Sequence, residues 1–415
     1  MNYLRPPRHL LRVGVATVTL ALAIMFVLAV VSSQTAQAQT FNVIHNFTGG
    51  NDGADPSAGV TRLGSNLYGT TYAGGAGFGT VYQMKPAGTG WIFNPLHSFT
   101  GSDGAIATAP VVFGPDGALY TTTEFGGGNG NVVRLTPSPT GCKTALCPWL
   151  ENVLYTFPGG NGGSKSIGLV FDQAGNIYGT TSAGGTYNGG IAYQLTNSGS
   201  GWAENVMHNF GVDLDGLTPY RSVLIFDHAG NIYGTTYFGG AIDAGTVFQV
   251  TPSGSGWTET VIHSFMDGSD GRFPYSGLIM DQSGNFFGTT TDAGTGGGGV
   301  VFELTPSGGG WNYSVIYSLT GTLGDSCGPA WALVMDGQGN LYDTTECGGA
   351  HGVGNVFKLT NNGGSWTYTS LYDFTGGNDG GYPVSGVTFD ASGNLYGTTY
   401  YGGTSNAGVV WKITP

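Results

Sequence analysis

The chain has 415 residues, of which 78 are glycine and only 9% are charged, with a formal net charge of −13. Glycine costs a helix interior about 1 kcal/mol per residue, so this composition excludes a helical protein. Twenty-two Tyr, 22 Phe and 8 Trp supply far more apolar burial than a solvated low-complexity chain has, which excludes disorder.

In chain order, the first feature is a leader. Arg5, Arg8 and Arg12 precede an uncharged apolar run from Val13 to Val31, and Ala36-Gln37-Ala38 then places small residues at the two positions a signal peptidase reads. The pattern predicts a signal peptide over 1–38, cleaved after Ala38, and a secreted, periplasmic or extracellular protein with no membrane segment after cleavage. A retained anchor would use an apolar run of nearly this length, and the adjacent cleavage site favours removal. Beyond residue 38 nine basic residues face 25 acidic ones. Nine scattered cations cannot assemble a phosphate-binding face, so no nucleic-acid partner is expected.

The next element, Phe41 to Phe47, reads as a strand, and after it one phrase recurs: Leu67 to Thr71, Leu119 to Thr123, Ile177 to Thr181, Ile232 to Thr236, Phe286 to Thr290, Leu341 to Thr345 and Leu395 to Thr399. The aromatic second positions of these seven copies are spaced by 52, 58, 55, 54, 55 and 54 residues, which fits a four-stranded unit. One full unit runs from Gly168 to Phe210. Gly168 to Asp172 is strand a, Ile177 to Ser182 strand b, Ile191 to Thr196 strand c and Trp202 to Phe210 strand d, with Gly, Asn and Ser at the turns. Phe41 to Phe47 matches a d strand with no a, b or c before it, and Gly408 to Thr414 is a c strand with no d after it. The permuted count predicts an all-β, seven-bladed β-propeller of four-stranded blades, one domain over 39–415, closed by the N-terminal strand completing the last blade.

The phrase Gly-Asn-Leu-Tyr-Gly-Thr-Thr, followed by Gly-Gly, a strand such as Gly245 to Phe248, and Thr-Pro-Ser-Gly as in Thr251 to Gly254, resembles the GloVer tandem repeat of choice-of-anchor bacterial proteins. The resemblance covers essentially all of residues 41 to 415. It implies export and a propeller-like repeat architecture, and it implies no reaction.

Within the repeat most residues read as structural. Trp91, Trp149, Trp202, Trp257, Trp311 and Trp366 start d strands, where a large ring would cover the next blade. His45, His97, His208 and His263 share one d-strand position with Tyr155, Tyr317 and Tyr372, and a position that accepts either ring reads as edge packing, not as a metal site or a base.

The d-to-a and b-to-c loops share one face and vary in length and content, so they form the expected ligand surface. Strand b ends there at Tyr72, Glu124, Ser182, Tyr237, Thr291, Glu346 and Tyr400. Tyr72, Tyr237, Phe238, Tyr400 and Tyr401 could stack sugars, with Glu124 and Glu346 the two charged exceptions among them. Asp52, Asp103, Asp215, Asp270, Asp325 and Asp379 recur in the d-to-a loops. Calcium is the ion they would attract, with Asp213–Asp215 and Asp267–Asp270 the nearest approaches, but no loop has a spaced run of aspartates and Asp-Gly is first a turn signal. No metal or other cofactor is implied. No Gly-x-Ser-x-Gly elbow, His-Glu-x-x-His or phosphate loop supports catalysis. The expected function is a monomeric, non-catalytic recognition module for a glycan or protein. The alternative is a propeller hydrolase, lyase or lactonase using acidic residues at the channel mouth.

Four cysteines in an exported chain favour disulfides. Cys142 and Cys147 lie in one c-to-d turn, while Cys327, read as a d-to-a loop residue, and Cys347, read as a b-to-c loop residue, lie on the other face of one blade, so Cys142–Cys147 and Cys327–Cys347 are the expected pairs.

Overall fold

The structure is a computed structural model that describes residues 39–138, 148–212, 214–254, 256–321, 327–329 and 331–415. The leader, Cys142, Cys147, Asp213 and Asp325 therefore lie outside the described residues.

Seven antiparallel sheets form the blades of a propeller, each ordered a-b-c-d from the central axis outward. Blade 3, for example, has strands Val170–Phe171, Ile177–Ala183, Ile191–Asn197 and Trp202–Asn209. The inner strand a is shorter than its sequence suggests, two residues in six blades and three in blade 1. In blade 7 the d strand is the N-terminal segment Thr40–Asn46, hydrogen-bonded to the C-terminal strand Val409–Thr414. The predicted closure is what the chain adopts.

Each residue of the repeated phrase has a physical task. The b-strand glycine lies under an aromatic ring of strand c. A Cβ on Gly69 would sit 2.4 Å from the Tyr82 hydroxyl, and one on Gly397 2.3 Å from the Trp411 ring. The first threonine then ties its blade to the next. Thr70 donates to the Ala109 carbonyl at 3.0 Å, Thr180 to Ser222 at 3.2 Å, Thr235 to Ser276 at 2.6 Å, Thr344 to Ser385 at 2.6 Å and Thr398 to Ala58 at 3.0 Å, the last across the seam of the ring.

The a-to-b turn is built on an aspartate. Asp172 accepts the Asn176 backbone N–H at 2.9 Å, the Asn176 amide at 2.7 Å and the Tyr178 hydroxyl at 3.0 Å, while Gly175 takes φ 86°. The same set recurs at Asp227, Asp336 and Asp390. These bonds hold all four carboxylates below their usual range, against a desolvation that acts the other way. The b-strand tyrosine thereby spans turn and blade boundary, and the tryptophans meet it from the following blade. Trp91 packs on Tyr396, Trp257 on Tyr178 and Trp311 on Tyr233, so each ring covers the preceding blade and not the next one.

Candidate functional site

Each d-to-a segment enters its blade through one residue in the left-handed backbone region. These are Asp55, Ile106, Lys165, Thr218, Phe273 and Tyr382, at φ 53° to 59°, with Gly328 at 58° in blade 6. The conformation is imposed by hydrogen bonds on both sides of the residue. Asp55 donates to the Ala407 carbonyl of the preceding blade at 2.9 Å, and its own carbonyl accepts the N–H of Tyr72 at 3.2 Å. The pattern repeats with Thr218 between Gly189 and Tyr237, Phe273 between Ala244 and Thr291, and Tyr382 between Val353 and Tyr400. Glycine would occupy this region without strain, whereas a side chain costs about 1 kcal/mol or more, most for the β-branched Ile106 and Thr218. Six non-glycine residues of six chemical kinds nevertheless stand in this ring. The strain is tolerated at the point where each d-to-a segment enters its blade.

The strand-b ends lie beside them. Tyr237 stacks on Phe273 at 4.9 Å and meets Phe238 edge-on at 4.6 Å. On the other side of the ring, Tyr400 meets Tyr72 at 6.2 Å and Tyr401 at 4.6 Å, and Tyr382 joins Tyr401 at 5.7 Å. The five aromatics expected to stack sugars thus form two clusters, one at blades 4 and 5 and one at blades 7 and 1. Burial raises the Tyr237 hydroxyl, and burial with the charge of Asp55 pushes Tyr400 up to about 12, so both are neutral donors at physiological pH. Glu124 accepts a hydrogen bond from Thr108 at 2.9 Å, and among the described residues none links it to Glu346. Glu346 is exposed, its charge felt by Tyr237 and Tyr275.

A group the sequence does not advertise reaches across the ring. Arg221 of blade 4 is 7% exposed and its guanidinium lies 5.3 Å from the Tyr275 ring and 5.1 Å from the Trp331 ring. It donates to the Val384 carbonyl of blade 7 at 3.0 Å, while its Nε has no partner. Trp331 replaces the Ser or Ala that most blades carry there. Its backbone is held by Asp343, which stands in blade 6 where most copies of the phrase have glycine. Asp343 is fully buried, and burial raises its carboxyl well above the usual range. Beside Trp331 a cavity of about 390 Å³ is lined by Gly59 to Arg62, Trp331 to Val334 and Gly386 to Phe389.

Larger clefts, of about 470 to 610 Å³, lie between blades on that opposite face. Their aspartates are committed to the turns described above, and in the cleft of blades 2 and 3 Asp116 is paired with Arg134 at 2.6 Å. The exposed apolar side chains lie elsewhere. Of twelve large ones, Phe78, Phe125, Tyr187, Leu214, Ile242, Met266, Tyr382 and Tyr401 are on the d-to-a and b-to-c loops.

The described loop aspartates hydrogen-bond within their own loops. Asp103 accepts Thr100 N–H at 2.8 Å and pairs with His97 at 3.1 Å. Asp270 accepts Met266 N–H at 2.7 Å and pairs with His263 at 3.3 Å. The pairs His45–Asp52 at 3.2 Å and His208–Asp215 at 2.8 Å repeat the arrangement. Among the described residues four d-to-a loops thus carry His–Asp pairs at the blade edge. In two of them a glutamate of the next blade completes a set of possible ligands, His97–Asp103–Glu151 and His208–Asp215–Glu259. Reading equivalent positions within the repeat missed these sets because the third member comes from the next unit. Cys327 and Cys347 are Cα partners in adjacent antiparallel strands, not loop residues, and no described cysteine is free.

Among the described residues no helix is long and apolar enough to cross a membrane. No curated protein matches the sequence. Among solved structures, the fold is similar to the extracellular domain assigned to a hybrid two-component system of B. thetaiotaomicron (TM-score 0.55, 12% identity, 90% of this chain and 39% of that one). The chain spans about two-fifths of the length of that domain. It is also similar to a polysaccharide lyase of family PL25, an ulvan lyase (TM-score 0.54, 11% identity, 90% of this chain and 95% of that one). At these identities the likeness is one of fold. The sequence matches the Gloeobacter/Verrucomicrobia repeat over residues 29–150, 128–328 and 260–415, and the chain belongs to that repeat family.

Proposed function

We propose that this is an exported, monomeric, non-catalytic recognition module that binds a glycan chain across the d-to-a and b-to-c face. The observation that carries the reading is the concentration of exposed apolar side chains on that face, eight of twelve among the described residues. The two aromatic clusters supply flat stacking surfaces, and the strained ring supplies polar and charged side chains of different kinds around them. Export rests on the leader over 1–38, and disulfides Cys327–Cys347 and Cys142–Cys147 accompany it. The test is a glycan array on residues 39–415, followed by titration of the best binder. Tyr237→Ala or Tyr400→Ala should each weaken binding about fivefold, roughly 1 kcal/mol, with the melting temperature nearly unchanged. A second reading, a hydrolase, lyase or lactonase, draws on Glu124 and Glu346 at the mouth. Turnover of a polysaccharide or lactone that disappears with Glu124→Gln or Glu346→Gln would replace the recognition reading.

A further inference from the structure

The outer edge of the ring contains one recurring slot, where the d-strand ring of one blade faces the third d-strand residue of the next. Most boundaries fill it with aromatic pairs. Phe93 stacks on His45 at 4.2 Å, Tyr313 on His263 at 3.9 Å, Tyr368 on Tyr317 at 5.4 Å and Phe41 on Tyr372 at 3.7 Å. Between blades 2 and 3 the slot holds Tyr155 and Glu204, joined by a hydrogen bond. The two remaining boundaries differ. Between blades 1 and 2, Glu151 faces the His97–Asp103 pair, and between blades 3 and 4, Glu259 faces His208–Asp215.

In each of these two places an imidazole nitrogen and two carboxylate oxygens lie within 4.8 Å of one another. The Oε1 atoms of Glu151 and Glu259 are buried with no hydrogen-bond partner, as is that of Glu204, but only the first two face a His–Asp pair. Two carboxyl groups thus face a single imidazole in a half-buried crevice, and hydrogen bonding inside the cluster leaves one glutamate oxygen unpaired. One oxygen of each aspartate is already held by its own loop. Asp103 Oδ1 takes Thr100 N–H and hydroxyl, at 2.8 and 2.9 Å, and Asp215 Oδ1 takes Gly216 N–H at 2.5 Å, which leaves Oδ2 turned inward to the histidine.

We infer that these are two quasi-equivalent sites for a first-row divalent cation of the zinc type, each formed across a blade boundary by one His, one Asp and one Glu. Zinc bonds of about 2.0–2.2 Å place tetrahedral ligand atoms about 3.4 Å apart, within reach of a small rotation of the glutamate. The histidine nitrogen favours such an ion over calcium, and the partly open crevice leaves a fourth position for water. Each ion would staple the outer strands of two blades, far from the mouth, so the inference stands independently of the proposed glycan binding.

The test uses untagged residues 39–415 stripped with chelator, titrated with Zn²⁺ by calorimetry and with Co²⁺ by visible absorption. Two equivalents are expected, together with a Zn²⁺-dependent rise in melting temperature. Glu151→Gln and Glu259→Gln should each remove one equivalent and together remove both, while Glu204→Gln keeps two. His97→Tyr with His208→Tyr, which installs the ring other blades already carry, should remove both sites without unfolding the protein. Absence of Zn²⁺ uptake, or uptake that survives both double variants, would overturn the inference.

Discussion

If blade 7 is an ordinary blade, the chain's first strand should be as firmly held as one in the middle of the sequence. Phe47 and Phe210 make the comparison direct. Both are fully buried at the end of a d strand, and each donates its N–H at 3.0 Å to a b-to-c loop glycine, Gly408 and Gly190 respectively. Each ring also meets the strand-c aromatic of the next blade, Phe47 with Tyr82 at 5.3 Å and Phe210 with Phe248 at 4.9 Å. Truncating a buried Phe to Ala costs about 3–5 kcal/mol where the surroundings hold their shape. Phe47→Ala and Phe210→Ala should therefore destabilise residues 39–415 by amounts equal to within about 1 kcal/mol, read from urea unfolding at equilibrium. Chain termini normally fray. A cost under about 1 kcal/mol for Phe47→Ala beside the full cost for Phe210→Ala would show that the N-terminal strand does not lock the ring.

Other consequences are equally specific. Burial holds the Glu204 carboxyl up at about 7. Its contribution is therefore fully present below its ordinary value near 4.5 and lost as pH rises through about 7, so Glu204→Gln should flatten the fall in stability between pH 5 and 8 by about 1 kcal/mol after solvent screening. Asp343, also raised by burial, acts with the same sign, so Asp343→Asn should reduce the loss of stability as pH rises. Gly397→Thr should destabilise strongly by collision with Trp411, yet combine favourably with Trp411→Val by more than 1 kcal/mol in a double-mutant cycle, because blade 2 already pairs Thr121 with Val133. Peptide mapping without reduction should recover Cys327–Cys347 and Cys142–Cys147, and a Cys142–Cys327 link would contradict the topology.

The architecture was legible because the repeat concentrates its physics in a few residues. The seven copies of the b-strand phrase set the number of blades, and the unmatched d and c strands at the two ends read as a closure. The tryptophans were read as packing, but their direction depends on how blades twist past one another, which no periodicity states. The left-handed ring was hidden because glycine is the usual sign of that conformation and six of its members are not glycine. The proline that follows Asp55, Thr218, Phe273, Gly328 and Tyr382 is the signal that marks the position. Arg221 and Trp331 are single departures from the repeat in different blades, and only the folded ring brings them together. The His–Asp–Glu sets escaped for a related reason, since aligning repeats compares a residue with its equivalents and not with its neighbour in the next blade.

The claim that the d-to-a and b-to-c face is the recognition surface is tested most directly by amide hydrogen exchange with and without the oligosaccharide selected on the array. Slowed exchange in the segments around 52–56, 72–79, 237–245, 267–273 and 400–406, with no change in the c-to-d turns before Trp91, Trp202 and Trp257, is the predicted result. Protection confined to those turns and to the clefts beside them would place recognition on the opposite face and contradict the account.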